Sequence, residues 1–332
     1  MSPSITIDTY LPPGWADEEL LADIRRTFSS TPKVLRPKWL YDDAGSALFD
    51  DITRLAAYYP TEAERSILAE HSDEIASLTS ADTIIELGSG TSDKTRLVLD
   101  AFWATGQLTR FCPLDVSEET LVRAARMLAE RYPGLEIHGV VGDFNEHLHH
   151  LPEGTKRMVA FLGSTLGNFY AEERRAFLGA LGDVLSEGEF LLLGIDLAKD
   201  AQRIVDAYND DSGTTEQFIE NVIAVINRKL DADIPIEQLD YVPLWDAREE
   251  RLDMRLRASM PIDARIGALD LDIEFTEGEE LRVEVSTKFR PDRIAEELAE
   301  AGFSIDRFWT SAPSEDGRLL DHDFGLILAV RG

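Results

Sequence analysis

The residues able to do chemistry cluster where short apolar runs end. Gly88-Ser89-Gly90 follows the run Thr83–Leu87. Glycines at such a strand-to-helix turn let the backbone approach a ligand closely. Asp115 ends a second run, 111–115, where a carboxylate can accept hydrogen bonds from ribose hydroxyls. Gly142-Asp143-Phe144 ends a third; Asp143 can accept from an adenine amino group and Phe144 can pack on the ring. Each acid by itself also reads as a cap or a solvated loop residue, and a lone G-x-G as a tight turn. Three such sites at the ends of successive strands are far less expected by chance. Lys94 could hold a ligand carboxylate, or be an ordinary surface lysine.

The position where a dinucleotide fingerprint carries its third glycine is Asp93. A helix N-terminus attracts anions, and an acid there repels a pyrophosphate. That disfavours a nicotinamide-dependent oxidoreductase and favours S-adenosylmethionine, which has no phosphate and carries a cationic sulfonium. A fourth run, 158–162, leads into Gly163-Ser164-Thr165-Leu166-Gly167-Asn168. Asn168 can pin an amino-acid carboxylate or simply cap a turn. The Asn/Asp-Pro-Pro-aromatic motif of nucleic-acid amino-methyltransferases is missing at this place. Glu284 and Ser286 lie two apart in a period-two strand and so share a face, opposite Val283 and Val285. Side by side they can bind an imidazole N–H; the plain alternative is a solvated strand face. His147, His149 and His150 invite a metal reading, but methyl transfer from a sulfonium needs none, so no metal is expected. His71, His138 and His322 read as surface or loop residues.

Elements in the right order can position these groups. The chain has 332 residues, enough for about two domains. From residue 83 strands and helices alternate, with strands at 83–87, 111–115, 137–141, 158–162 and 190–195. Helices are expected from Thr61, from Asp93, from Ser117 and over 172–185. Thr61 and Glu64 form a capping box after Pro60. Such alternation implies parallel strands with helices on both faces. Two helices over 201–230 and antiparallel period-two strands then interrupt the pattern, each strand with one buried face. Met254 reads there as a core residue. The simplest assembly is a doubly wound domain, 62–200 plus 287–332, and a second domain, 1–61 plus 201–286.

Net charge is −30, which argues against nucleic-acid and anionic-membrane partners. One cysteine, Cys112, excludes an internal disulfide. No signal peptide or membrane-spanning run is evident. The expectation is a cytoplasmic monomer acting on a small molecule.

Glu86-Leu87-Gly88-Ser89-Gly90-Thr91-Ser92 with Lys94 and Thr95, Phe161–Asn168, and Tyr58-Tyr59-Pro60-Thr61-Glu62 together resemble the histidine Nα-methyltransferases of ergothioneine biosynthesis. The resemblance runs from about Pro32 to the C-terminus. It implies a class I (Rossmann-like) methyltransferase domain plus a substrate-binding domain. It further implies S-adenosylmethionine contacts at Gly88, Lys94, Asp115, Asp143 and Phe144. Tyr58, Asn168, Tyr208, Glu284 and Ser286 would line the amino-acid pocket, with Asn168 and Tyr208 on the carboxylate. Met254 would sit near the imidazole. Related tryptophan methylators differ at the positions of Met254 and Glu284, so these two favour histidine. The implied reaction is trimethylation of the α-amine to hercynine. Its alternatives are a methyltransferase for another amino acid such as tryptophan, or a non-catalytic S-adenosylmethionine-binding regulator. Tyr41 and Tyr58 are possible aromatic walls for a methylated cation, and no residue is assigned as a general base.

Overall fold

Apolar runs without a polar alternate need a sheet covered on both faces. Every residue of Thr83–Leu87 and of Arg157–Phe161 is buried in the computed structural model, which describes residues 4–90 and 94–332. In chain order the strands are β1 (Ser4–Thr9), β2 (Lys33–Val34), β3 (Thr83–Leu87), β4 (Arg110–Asp115), β5 (Glu136–Val141), β6 (Arg157–Phe161) and β7 (Phe190–Asp196). After them come β8 (Leu239–Asp246), β9 (Arg251–Ala258), β10 (Ile262–Ile266), β11 (Leu271–Phe275), β12 (Glu280–Thr287), β13 (Phe303–Thr310) and β14 (Phe324–Arg331). The chain divides into two units. The first is Met1–Pro13, Pro60–Leu197 and Phe289–Gly332; the second is Gly14–Tyr59 and Ala198–Lys288.

The first unit is built on an eight-stranded sheet in the order β1-β5-β4-β3-β6-β7-β14-β13. β1, β5, β4, β3, β6 and β7 pair in parallel; β14 runs antiparallel to β7 and β13 antiparallel to β14. The chain winds outward from β3 through β4 to β5, then returns to β6 on the other side of β3. Strand order therefore reverses between β3 and β6, and ligands of open α/β sheets bind beyond the strand ends at such a reversal. This is the class I methyltransferase architecture expected above. Ile85, Cys112, Leu114, Val159, Phe161, Leu193 and Ile327 meet in its core. Burial pushes the Cys112 thiol pKa up, which leaves it inert.

Two local expectations are corrected. The N-terminal residues to Pro13 belong with the first unit, because β1 adds in parallel to the β5 edge from Ser4↔Glu136 to Thr9↔Val141. The insertion correspondingly spans 198–288. The helix expected from Thr61 begins at Tyr59, and Glu64 is fully buried instead of capping it. Its Oε1 accepts the Gly163 N–H at 2.7 Å, and its Oε2 accepts from Lys94 Nζ. The helix expected from Asp93 is seen over Thr95–Ala104; Thr91, Ser92 and Asp93, and with them the third-glycine position, lie outside the described residues.

The second unit centres on the sheet β2-β12-β9-β8, with the hairpin β10-β11 beside it. The hairpin follows the expected alternation, burying Ile273 and Phe275 while Asp272 and Glu274 face water. β9 and β12 do not. Asp253, which alternates with the apolar Leu252 and Met254, is fully buried between Arg251 Nε (2.6 Å), Arg255 (2.5 Å) and Arg282 Nε (3.1 Å). The helix Thr214–Leu230 buries Phe218, Ile219, Val222, Ile223 and Ile226. The helix Asp43–Ile52 is capped by Asp42, which accepts from Gly45 N–H at 2.9 Å and Asn221 Nδ2 at 2.8 Å.

One buried ion pair ties the frame of the first unit. Arg157 donates to both oxygens of Glu189, Nε at 2.7 Å and Nη2 at 2.6 Å, and to the Val184 carbonyl at 2.7 Å. Burial acts to raise the Glu189 pKa, but the hydrogen bonds and charge of Arg157 win and hold it below the usual value. Removing one partner of such a pair strands the other charge. Arg157→Ala is expected to destabilise the fold by about 3–5 kcal/mol, read as a lowered urea midpoint. A midpoint unchanged from wild type would show that the pair is dispensable.

Candidate functional site

In the first unit, the residues expected to bind the cofactor converge on the ends of β3, β4 and β5. Gly88 (φ +67°) and Gly90 (φ +46°) both adopt the left-handed region that side chains disfavour. A Cβ on Gly90 would meet nothing within 4 Å, so its backbone borders open space. The Asp115 carboxylate holds this loop: Oδ2 accepts from Gly90 N–H at 3.0 Å and Oδ1 from Ser117 N–H at 2.9 Å. Burial raises its pKa against these backbone donors. A carboxylate has about four acceptor sites; with Val116 N–H also bearing on it, capacity for a ribose hydroxyl remains. Asp143 is 5% exposed, and its Oδ1 accepts from Asn145 N–H (2.9 Å) and Nδ2 (2.8 Å). The Phe144 ring packs edge-on against Phe161, Phe169 and Phe177, and its Cε1 lies 3.6 Å from where a Gly88 Cβ would be. An acceptor pair at β4, a buried acid at β5 and an aromatic face beside an open glycine turn fit the ribose and adenine of S-adenosylmethionine.

The end of β6 is shaped by two successive left-handed residues, Gly163 (φ +75°) and Ser164 (φ +56°). Ser164 is held there by accepting the Asp196 N–H at 2.9 Å. The chain then makes a tight turn, Thr165–Asn168, that brings Asn168 to a half-buried position at this edge. Lys94 comes to the same edge through Glu64, which also holds the Gly163 N–H. The histidine cluster is used locally: His147 Nδ1 meets the Asp143 backbone, and His150 stacks on Tyr10 at 3.7 Å.

In the second unit, a β-bulge in β12 sets the face of the residues expected to bind the amino acid. Leu281 pairs with Leu256 and Arg282 with Arg255, but Glu284 pairs with Met254 and Ser286 with Leu252. Val283 is the extra residue. Residues directly opposite one another in an antiparallel pair share a face. The bulge therefore turns Glu284 and Ser286 onto the apolar face of β9, and they are 7% and 4% exposed. The solvated-face alternative is overturned, and Met254 is the cross-strand neighbour of Glu284. The Ser286 Oγ lies 3.0 Å from the Tyr208 hydroxyl, and Tyr58 packs edge-on against Tyr208 at 5.5 Å. Tyr41, Phe49, Tyr58 and Phe218 form a chain of aromatic contacts with ring centroids 5.4–6.4 Å apart.

Three participants escaped the sequence reading. Lys288 donates to Tyr208 and Ser286; one more step of the Glu284-Ser286 period would have found it. Glu64 was absorbed by a capping pattern. Phe49 sits in an amphipathic helix and carried no distinguishing signal.

Burial pushes the Glu284 carboxyl up to about 8, against the lowering pull of Lys288. A carboxyl whose folded pKa is raised stabilises the fold fully below its unfolded pKa of about 4.3 and loses that contribution as pH rises toward 8. The thermal midpoint of wild type should therefore fall relative to Glu284→Gln between pH 5 and pH 8.5. A gap that stays constant across this range would contradict the buried, protonated carboxyl.

Comparison with known proteins agrees with this layout. Residues 20–320 match the model of a family described as histidine-specific methyltransferase, SAM-dependent. The histidine N-alpha-methyltransferase of Mycolicibacterium smegmatis is 47% identical over 99% of this chain and 100% of its own length. That of Mycobacterium tuberculosis is 50% identical over 94% of this chain and 95% of its own. Ergothioneine biosynthesis protein 1 of Neurospora crassa is 36% identical over 57% of this chain and 22% of its own length. With glycine turn, strand-end acids and switch-point topology in place, a match over nearly the whole sequence settles the matter: the chain belongs to the histidine-specific, S-adenosylmethionine-dependent methyltransferase family.

Proposed function

We propose that this chain methylates the α-amino nitrogen of L-histidine three times, giving Nα,Nα,Nα-trimethylhistidine (hercynine), the first step of ergothioneine biosynthesis. The observation that carries the histidine assignment is the pairing of Glu284 with Met254 across β12 and β9, with Ser286 alongside and joined to Tyr208. A flat ring fits against Met254, while its two nitrogens need polar partners that a wholly apolar face lacks. With its pKa near 8, Glu284 is mostly protonated at pH 7 and donates to the bare imidazole nitrogen. Ser286 serves the other nitrogen. The resemblance assigns the α-carboxylate to Tyr208 and Asn168.

When bound, S-adenosylmethionine supplies an electrophilic methyl group. Gly88, Asp115, Asp143 and Phe144 are assigned to its nucleoside and Lys94 to its methionine carboxylate. The protein's own task is to present the amine in line and unprotonated, because an ammonium has no lone pair. Positioning contributes up to roughly 7–11 kcal/mol in favourable cases. An apolar, aromatic surround lowers the amine pKa by desolvation. Tyr41, Phe49 and Tyr58 suit the methylated cations through their ring faces, so mono- and dimethylated intermediates are retained for the next round. The proton passes to water, with no dedicated base assigned. Among the described residues no helix is long and apolar enough to cross a membrane. We propose a cytoplasmic monomer, which sedimentation equilibrium tests.

Mass spectrometry of purified protein with S-adenosylmethionine and L-histidine, and with L-tryptophan in parallel, tests the reaction. Histidine gaining one, two and then three methyl groups is the expected result. Cofactor binding without any methylated histidine would falsify the assignment. For the site, Glu284→Ala should weaken histidine binding about 10- to 100-fold while S-adenosylmethionine affinity stays within about twofold. Glu284→Gln, neutral like the protonated acid, should lose less than Glu284→Ala. Equal losses for histidine and cofactor would remove Glu284 from the substrate pocket.

A further inference from the structure

Lys288 is the last residue of the second unit and is 1% exposed. Burying an ammonium costs several kcal/mol before compensation, so its partners indicate what the group is for. Nζ donates to the Ser286 Oγ at 2.7 Å and to the Tyr208 hydroxyl at 2.9 Å, and lies 4.5 Å from the centre of the Tyr208 ring. The two hydroxyls are 3.0 Å apart, so the three groups close a triangle.

The proton count in that triangle is constrained. An ammonium has donors and no acceptor. Both hydroxyl oxygens therefore accept from Lys288, and at most one hydroxyl hydrogen lies on the Tyr208–Ser286 edge. The other is turned out of the triangle. A hydroxyl that accepts from a cation is polarised into a stronger donor. The cation is also one hydroxyl away from whatever that donor binds, and it favours a negative group there.

We propose that Lys288 is a positioning residue of the amino-acid pocket: it locks Tyr208 and Ser286 as one unit and makes the pocket select substrates bearing an α-carboxylate. The inference rests on the assignment of Tyr208 and Ser286 to histidine. With Ser286 donating to Tyr208, the Tyr208 hydrogen points outward to the carboxylate, and Ser286 keeps a lone pair for the imidazole N–H. Substrate ends three bonds apart are thereby read by one hydrogen-bonded triad. Lys288 touches neither end itself, which separates it from the residues it orients.

The test is calorimetric titration of L-histidine, histamine (the same molecule without its carboxylate) and S-adenosylmethionine into wild type, Lys288→Met, Tyr208→Phe, Ser286→Ala and the double variant Lys288→Met/Tyr208→Phe. Lys288→Met should weaken L-histidine about 10- to 100-fold, histamine by a clearly smaller factor because it shares only the Ser286 contact, and S-adenosylmethionine within about twofold. In the Tyr208→Phe background the same change should cost much less, because the hydroxyl it acts through is gone. A purely structural role would weaken all three ligands together, or add in full to Tyr208→Phe, and either outcome overturns the proposal. Losses at Tyr208→Phe and Ser286→Ala with none at Lys288→Met overturn it alone. No loss at any of the three overturns the pocket assignment beneath it as well. If Lys288→Met does not fold, Lys288→Gln, which keeps donors without the charge, carries the same comparison between L-histidine and histamine.

Discussion

One inserted residue in a strand decides which polar side chains the second unit brings onto a covered face. Side chains alternate across a sheet with a period of two, so a polar run and an apolar run on neighbouring strands stay on opposite faces unless the register slips. Val283 is that slip. Upstream of it, Leu281 shares a face with Leu256; downstream, Glu284 shares that face with Met254 and Ser286 shares it with Leu252. Bulges often re-aim side chains next to active sites. Here the result is an acid, a hydroxyl and a thioether on one covered surface, each of a type that an imidazole needs.

Bringing polar groups to a covered face has a cost, and its size explains the arrangement around them. An unsatisfied buried polar group costs about 1–3 kcal/mol, and a buried charge more. Glu284 lowers the cost by holding its proton, with its pKa near 8. Ser286 lowers it by joining Tyr208 and Lys288. The same site that is expensive when empty discriminates strongly when filled, because an analogue lacking the right nitrogen leaves those groups unpaired. In the proposed function, specificity for histidine over an apolar aromatic amino acid follows from polarity more than from shape.

Elements whose signal is local were legible in the sequence. The parallel strands were readable because burial on both faces leaves an uninterrupted apolar run, and the strand-end acids because chain order alone places them at one sheet edge. Ser117 capped its helix as its type and the following Glu118 and Glu119 suggest. What failed to show were features decided by partners distant in sequence. β1 finds its place through β5, some 130 residues later. Asp253 looks like an outward residue of an alternating strand until three arginines close over it. Glu64 has the spacing of a capping box, but a backbone N–H at Gly163 and the ammonium of Lys94 compete for it and win. A charged pair with a buried member is a stronger claim on a carboxylate than a cap at an exposed helix end.

Glu64 also shows how the first unit keeps a charged group ready without neutralising it. Its oxygens are divided, one on the Gly163 N–H and one on Lys94. The backbone bond fixes the carboxylate in place, so Lys94 is held by a partner that cannot follow it. An ammonium carries three donors, and one goes to Glu64. In the proposed function the others serve the methionine carboxylate, and the fixed acid keeps the long lysine chain from spending rotamer entropy of up to about 2 kcal/mol when ligand arrives. Gly194 completes the device: a Cβ there would sit 2.0 Å from Glu64 Oε1, so any larger residue would push the acid off the Gly163 N–H. The second unit arrives at the same solution with the signs exchanged, a buried lysine holding hydroxyls rather than a buried acid holding a lysine. In both, the group assigned to the ligand in the proposed function is held by a buried charge one contact further in.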